Sequence, residues 1–418
     1  MSRLNELIQQ YCPDGVEYKP LGEVCDFRNG FAFKSNLFTD EGCPIIRITN
    51  ISENNVDMSD LKYFHMEDYP KSDLSQFAIK KGDILVAMSG ATTGKIGTYK
   101  GNITAYLNQR TGKFEPKESL NNRFLYHFLQ TQVSNMYKMA GGGAQPNLSS
   151  NDLKSKIVIP VPPLPVQEEI ARILDNFAEL QAELQAELQK RLQQYNYYRD
   201  NLLSFEGRTD VEWKKLGDVF DTTTDFTAAG SFADIAANVV YNRNKDYALL
   251  VRTTDIKSNF TKEDKVYISQ SAFEYLWRVR LDKSSIILPN IGANCGEVHF
   301  IKPENLPMQN CALGPNALLL RTEHYENRFY YHYFNITTFQ KELRKIISPG
   351  GQTKFNKTEL RKISIPVPTI AEQQKIVDIL DRFDALTTDI TAGLPAEIEA
   401  RRKQYEYYRD KLLTFKKK

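Results

Sequence analysis

The chain of 418 residues is 41% hydrophobic and 25% charged, with 22 glycines and 18 prolines, which excludes fibrous, low-complexity and disulfide-scaffold classes and leaves room for two or three globular domains. Basic and acidic residues nearly cancel, 54 against 52, so strong non-specific attraction to phosphate is excluded, and any nucleic-acid binding has to read bases or borrow a partner's charge. No apolar run approaches a membrane span, the opening MSRLNELIQQ lacks a signal peptide's apolar core, and the five cysteines form neither a C-x-x-C pair nor a zinc spacing, so the expectation is a cytoplasmic protein without membrane association, structural zinc or disulfides.

In chain order, the first predicted elements are short β-type runs at Ile45–Ile48 and Ile84–Val86, separated by Gly/Asn/Asp turns, and a helix at Arg123–Val133. The proline-rich IPVPPLP stretch, Ile159–Pro165, cannot be helix interior and places Pro165 in the first turn of a new helix. From Pro165 to Phe205, apolar residues from Ile170 through Phe177, Leu184 and Tyr195 to Leu202 recur about every 3.6 positions, which predicts one long helix with a single apolar stripe. Within it, Ala178–Gln189 is AELQ three times over. The β-type pattern then resumes at Ala248–Val251 and Ile286–Leu288. A second striped helix runs from Ile376 to Leu412, with a predicted kink or restart at Gly393–Pro395.

These elements occur twice. VEYKPLGEV (Val16–Val24) returns as VEWKKLGDV (Val211–Val219), NRFLYH (Asn122–His127) as NRFYYH (Asn327–His332), IPVP at Ile159 and Ile365, Ile-Leu-Asp at Ile173 and Ile379, and YNYYRDNLLSF (Tyr195–Phe205) as YEYYRDKLLTF (Tyr405–Phe415). The order is preserved at offsets near 200 residues, the mark of an internal duplication. The expected organisation is a module at 1–158, a central helix at 159–205, a second module at 206–364 and a C-terminal helix at 365–418. The mixture of short strands and short helices predicts an α+β fold. A stripe too narrow for a globular core asks for a partner helix, and connectivity makes that pair antiparallel. The expectation is a dumbbell with pseudo-two-fold symmetry, chain ends meeting near the first module, and two equivalent partner-binding surfaces.

Motifs for chemistry are absent. Ser89–Lys95 fails the phosphate-loop template, because only three residues separate Gly90 from Gly94 and Ile96 stands where Ser or Thr would reach magnesium; a glycine-rich turn is the better reading. The E-x-K pairs Glu115/Lys117 and Glu263/Lys265 are too common to mark a nuclease, there is no methyl-donor glycine fingerprint, and the five histidines form no H-E-x-x-H or H-x-E array. His127 and His332 are repeat equivalents in aromatic helical stretches, which favours packing. Tyr195, Tyr197, Tyr198 and Arg199, with Tyr405, Tyr407, Tyr408 and Arg409, could be base-stacking platforms, but their helical spacing favours aromatic packing of the helix ends against the modules or against a partner protein, with Tyr195, Tyr198, Arg199, Tyr405, Tyr408 and Arg409 as the partner-contact candidates.

NGFAFKS (Asn29–Ser35), IIRITNI (Ile45–Ile51), GDILVAMSGATTGKIG (Gly82–Gly97), LNQRTG (Leu107–Gly112), GGGAQPNLSSNDL (Gly141–Leu153) and IPVPPLPVQEEIARILD (Ile159–Asp175), in this order and half repeated, resemble the DNA-specificity subunits of type I restriction-modification systems. The resemblance spans essentially the whole chain. It implies two target-recognition modules, each reading one half of a split double-stranded DNA sequence, and helices that set the gap and hold two methyltransferase subunits. Methyl transfer and ATP-driven cleavage would then belong to methyltransferase and motor (restriction) subunits, together with S-adenosylmethionine, ATP and magnesium, leaving this chain non-catalytic and without a cofactor of its own. In the second module AFKS has no counterpart and GGQTKFNK (Gly350–Lys357) replaces GGAQPNLS, which points to a different half-site. Base reading needs Arg, Lys, Asn, Gln and similar side chains on loops. The candidates are Arg47, Asn50, Thr92, Thr93, Lys95, Gln109 and Arg110 in the first module and Arg252, Asp255, Asn290, Asn294 and Gln352 in the second. The alternatives are a coiled-coil scaffold that does not bind DNA, and a specificity subunit of a related methyltransferase-nuclease system.

Overall fold

The structure is a computed structural model that describes residues 2–52, 55–141, 146–348, 353–388 and 393–418. The chain divides into two compact units, residues 1–185 with 397–418, and residues 186–396. Each unit therefore holds one module, part of the helix that leaves it and part of the helix that reaches it.

The first module is built on two four-stranded sheets. One orders Cys25–Asn29, Thr111–Pro116, Ile84–Ala87 and Ile96–Thr98, all antiparallel; the other orders Lys62–Phe64, Cys43–Ile46, Ala105–Leu107 and Ala78–Ile79, with Cys43–Ile46 and Ala105–Leu107 parallel. The second module repeats this frame. Thr222–Asp225, Ala317–Arg321, Ser285–Pro289 and His299–Ile301 reproduce the first sheet, and Tyr267–Ile268, Ala248–Val251 and Cys311–Leu313 reproduce the second with one edge strand fewer. In both copies the central strands are buried on both faces, which is why ILVA and SIILP read as continuous apolar runs rather than alternating ones.

The repeated VEYKP/VEWKK and IPVP segments pair with each other. Tyr18–Pro20 lies antiparallel to Val158–Pro160, and Glu212–Lys215 to Ser364–Val367, so each module is fastened at its neck by a two-stranded ribbon. After the ribbon, Leu164–Leu202 forms one helix of 39 residues, with Pro165 in its first turn as expected. The second copy is two helices, Ile370–Thr388 and Leu394–Leu412, in agreement with the predicted break. Pro395 stands in the first turn of the restarted helix, where its missing N–H has no intrahelical partner to lose.

Val16 pairs with Lys417 in the first unit: the Val16 N–H donates to the Lys416 carbonyl (2.8 Å) and the Lys418 N–H to the Val16 carbonyl (3.0 Å). The Tyr18 hydroxyl adds a bond to the Phe415 carbonyl (3.0 Å). The expected meeting of the chain ends beside the first module is observed. No helix among the described residues is long and apolar enough to cross a membrane.

Candidate nucleic-acid interface

In each module, turns that follow central strands meet one another. In the first module the parallel strands Cys43–Ile46 and Ala105–Leu107 run into two neighbouring turns. Arg47, Ile48 and Thr49 from one, and Asn108, Gln109 and Arg110 from the other, line a small cleft of about 220 Å³. The first turn is held by Asn50, which is 2% exposed. Its Oδ1 accepts the Arg47 N–H (3.0 Å), and its Nδ2 donates to the carbonyls of Asp57 (3.2 Å) and Asp60 (2.8 Å). Arg47 in turn bonds the Asp60 carboxylate (3.2 Å).

The second module uses the same device with a charge in it. Asp255, 1% exposed, accepts the Arg252 N–H (2.9 Å) and grips the Arg252 guanidinium at Nε (2.9 Å) and Nη2 (2.7 Å). Hydrogen bonding to Asp255 is the main reason the Arg252 guanidinium is even less acidic than usual. The expected base readers Asn50 and Asp255 are thus interior: their hydrogen-bonding capacity shapes the turn and presents no free group to a ligand.

The glycine-rich turn is a strand connection, as its sequence indicated. Gly90 and Gly94 take φ of +79° and +80°, a region L side chains rarely adopt, and so let Ile84–Ala87 return as Ile96–Thr98. Thr93 is buried, with its hydroxyl on the carbonyls of Gly90 (2.7 Å) and Pro146 (3.3 Å). The Thr92 hydroxyl donates to the Ile48 carbonyl (3.1 Å), which ties this turn to the cleft. Lys95 is partly exposed, and Gln109 and Arg110 are exposed. The structure therefore brings Arg47, Thr92, Gln109 and Arg110 together and turns Asn50 and Thr93 inward.

In the second module Asn294, at the position of Thr92, accepts from Lys257 Nζ (3.1 Å), so the two turns are again linked. Lys257 also pairs with Glu297 (2.7 Å). Asn290 lies elsewhere, on the rim of a cavity of about 560 Å³, and its amide donates to the Phe355 carbonyl (3.3 Å). Gln352 lies outside the described residues.

The repeated tyrosines act at the junctions between module and helix. His127 is fully buried; its Nε2 bonds Asp175 (2.8 Å) and its Nδ1 the Tyr405 hydroxyl (3.0 Å). In the second unit His332 bonds Asp381 (2.8 Å) and Tyr195 (3.2 Å) in the same way. Arg123 and Arg328 bond the same carboxylates (3.0 and 2.7 Å). Burial pushes both imidazoles below their ordinary pKa, despite the carboxylate beside each. Burial also opposes the Asp175 carboxylate, but hydrogen bonds from His127 and Arg123 outweigh it and hold the group at about 2. A neutral imidazole that donates from Nε2 and accepts at Nδ1 satisfies both of its partners.

Gln167 and Gln373, both fully buried, complete the junctions. Gln167 accepts the Asn121 N–H (2.8 Å) and donates to the carbonyls of Ser119 (2.9 Å) and Pro162 (2.6 Å); Gln373 accepts the Glu326 N–H (3.0 Å) and donates to the Pro368 carbonyl (2.8 Å). Tyr408 stacks on Phe177 (5.4 Å) and Tyr198 on Phe383 (5.9 Å), while Arg199 and Arg409 lie over the rings of Tyr195 and Tyr405 (5.5 and 5.8 Å). Of the residues expected at a partner surface, all six make ring contacts within their own unit, as aromatic packing of helix ends against modules would have it, while Tyr198 stays 42% exposed, beside the exposed Tyr197 and Tyr407.

The profile of the type I restriction modification DNA specificity domain matches the chain twice, over residues 13–194 and 209–400. The chain is 36% identical over 304 residues to the specificity subunit of the Escherichia coli type I restriction enzyme EcoR124I/EcoR124II, covering 71% of each. It is 31% identical over 422 residues to the putative type I restriction enzyme specificity subunit S.HindORF215P of Haemophilus influenzae, covering 96% of each. Among solved structures, the S subunit of a type I restriction-modification system from M. genitalium shares the fold with a TM-score of 0.52 at 16% identity, over 96% of both chains. A chain from a study of complex assembly and conformational transition of the type I R-M system does so with a TM-score of 0.58 at 16% identity, over 96% of this chain and 98% of that one. The duplicated frame, the doubled family match and these relatives together make the chain a member of the type I restriction-modification DNA-specificity subunits, the non-catalytic, DNA-recognising component of such systems.

Proposed function

We propose that each module reads one half of a bipartite double-stranded DNA site, that the helices fix the gap between the halves, and that the chain holds two methyltransferase subunits, which supply S-adenosylmethionine chemistry, with ATP- and magnesium-dependent motor subunits joining for cleavage. The observation that carries this reading is the paired recognition turn: Arg47/Asn50 and Arg252/Asp255 stand at equivalent points of equivalent frames. The outward side chains around the two turns differ, so the halves of the site differ. In the first module Arg47, Thr92, Lys95, Gln109 and Arg110 face the DNA; in the second Arg252, Asn290 and Asn294 do so, with Gln352 as a further candidate for base contact. Exposed Tyr197 and Tyr407, beside the junction tyrosines, offer equivalent surfaces to the two methyltransferase subunits.

The test is to co-express the chain with its methyltransferase and sequence methylated adenines before and after residues 1–155 are exchanged for another family member's first module. One half of the methylated motif should change and the other should not. A change in both halves would overturn independent reading.

A further inference from the structure

In the first module, the segment after Cys25–Asn29 turns its aromatic residues inward: Phe31 packs on Phe33 (5.0 Å), Tyr69 (5.5 Å) and Phe77 (5.3 Å). The equivalent segment of the second module, after Thr222–Asp225, buries Phe226 but then forms a short helix, Phe232–Asn238, whose Phe232 is 84% exposed; Val240 and Tyr241 beyond it are exposed as well. Contiguous apolar exposure beside a recognition face calls for a ligand.

This helix walls the cavity of about 560 Å³ on whose rim Asn290 lies. Further walls come from Asp225–Thr227, from Val239 and Tyr241, from the turn after Ser285–Pro289 and from Pro315–Ala317, the position that LNQRTG occupies in the first module. Asn316 is exposed in a left-handed conformation, φ +70°. Asp225 is the only charged residue lining the cavity among the described residues. Its carboxylate already accepts from the Thr227 hydroxyl (2.6 Å) and the Ala228 N–H (3.0 Å), with Lys357 at 3.7 Å.

A site without a free cation does not hold phosphate. Apolar walls rimmed by two asparagine amides match an A·T pair, the only base pair that shows the major groove a methyl group beside an adenine edge that asparagine can bond. We propose that this cavity determines part of the second half-site by taking up a thymine C5-methyl group against Phe232, with the asparagine rim on the paired adenine. The inference rests on the DNA-reading function proposed above and adds what the second module reads.

The experiment uses the chain assembled with its methyltransferase subunits. The half-site that persists when residues 1–155 are exchanged is synthesised with each thymidine replaced singly by deoxyuridine, which removes only the methyl group. One replacement should weaken binding about fourfold, the effect of burying a single methyl. In Phe232→Ser that penalty should vanish, while replacements in the other half-site behave as in the wild type. Because Phe232 is so exposed, the variant should melt with the wild type. Deoxyuridine tolerated at every position of the second half-site, or a penalty that survives Phe232→Ser, overturns the proposal alone. A complex with no preference for its methylated motif over scrambled DNA overturns the DNA-reading function beneath it.

Discussion

Replacing Tyr405 with Phe removes one hydroxyl and keeps the ring that packs 6.1 Å from the His127 imidazole. The lost O–H is the donor to His127 Nδ1 at 3.0 Å, and His127 is 0% exposed, so water cannot take its place. A buried acceptor left without a donor costs about 1–3 kcal/mol. That cost falls on the docking of helix Leu394–Leu412 onto the first module, and it should raise the undocked population about 5- to 150-fold. Amide hydrogen exchange, read by mass spectrometry on peptides from 397–412, should accelerate by that factor while peptides from 186–396 keep their rates, because they belong to the other unit. Tyr195→Phe should produce the mirror effect around His332. Tyr407→Phe, at an exposed neighbour, should stay within about 0.5 kcal/mol of the wild type. Unchanged exchange of 397–412 in Tyr405→Phe, or equal acceleration in both units, would refute the assignment of His127 as the receptor for the incoming helix.

Other named residues carry three further expected outcomes. Because burial holds His127 and His332 below the ordinary histidine value of 6.5, the unfolded chain takes up protons that the folded chain refuses; the melting temperature should fall as pH drops below about 6.5, with a further loss between 3.8 and about 2 as Asp175 is titrated, and a wild-type melting temperature that stays flat between pH 7.5 and 5.5 would contradict the burial of these rings. Deleting Ala182–Gln185, one of the three AELQ repeats, shortens helix Leu164–Leu202 by about 6 Å and rotates its C-terminal part by roughly 40°, so sequencing of methylated sites should show the gap reduced by about one or two base pairs; an unchanged gap with full activity would mean that the helix is no ruler. Gln109→Ala with Arg110→Ala should relax the first half-site by about 1–3 kcal/mol per lost base contact and leave the second intact, and a uniform loss at both half-sites would make these residues phosphate contacts.

The duplication made the architecture legible, because equal segments at nearly equal offsets have to build equal frames, and the paired sheets and neck ribbons agree with it; the break at Gly393–Pro395, which the first copy lacks, was legible instead from the helix-breaking residues themselves. Less legible was the direction in which polar residues point. Asn50 comes after a buried strand and looks from sequence like a base reader, and so does Asp255; only the packed turn reveals that their partners are Arg47 and Arg252 three residues earlier. The junctions were hidden by distance along the chain. His127 meets Asp175 across 48 residues and Tyr405 across 278. The signal was nonetheless present, since the NRF-x-Y-H and Ile-Leu-Asp segments recur together and both carry residues of the same clamp. Gln167 and Gln373 recur as well, at the offset of the IPVP segments, but a glutamine in a helical pattern ordinarily reads as a surface residue.

The parallel tie between Val16 and the Lys416–Lys418 segment bears on how the molecule is made. Every residue of the second unit lies between 186 and 396, so it can close as soon as that stretch has left the ribosome. The first unit, although synthesised first, lacks Tyr405, Leu412 and the Val16 pairing until residues 405–418 emerge. Its core waits with an open seam, and the ordinary order of cotranslational folding, amino-terminal part first, is reversed for its completion. A nascent chain whose residue 396 has just cleared the ribosome would therefore carry a finished second recognition unit and an unfinished first one.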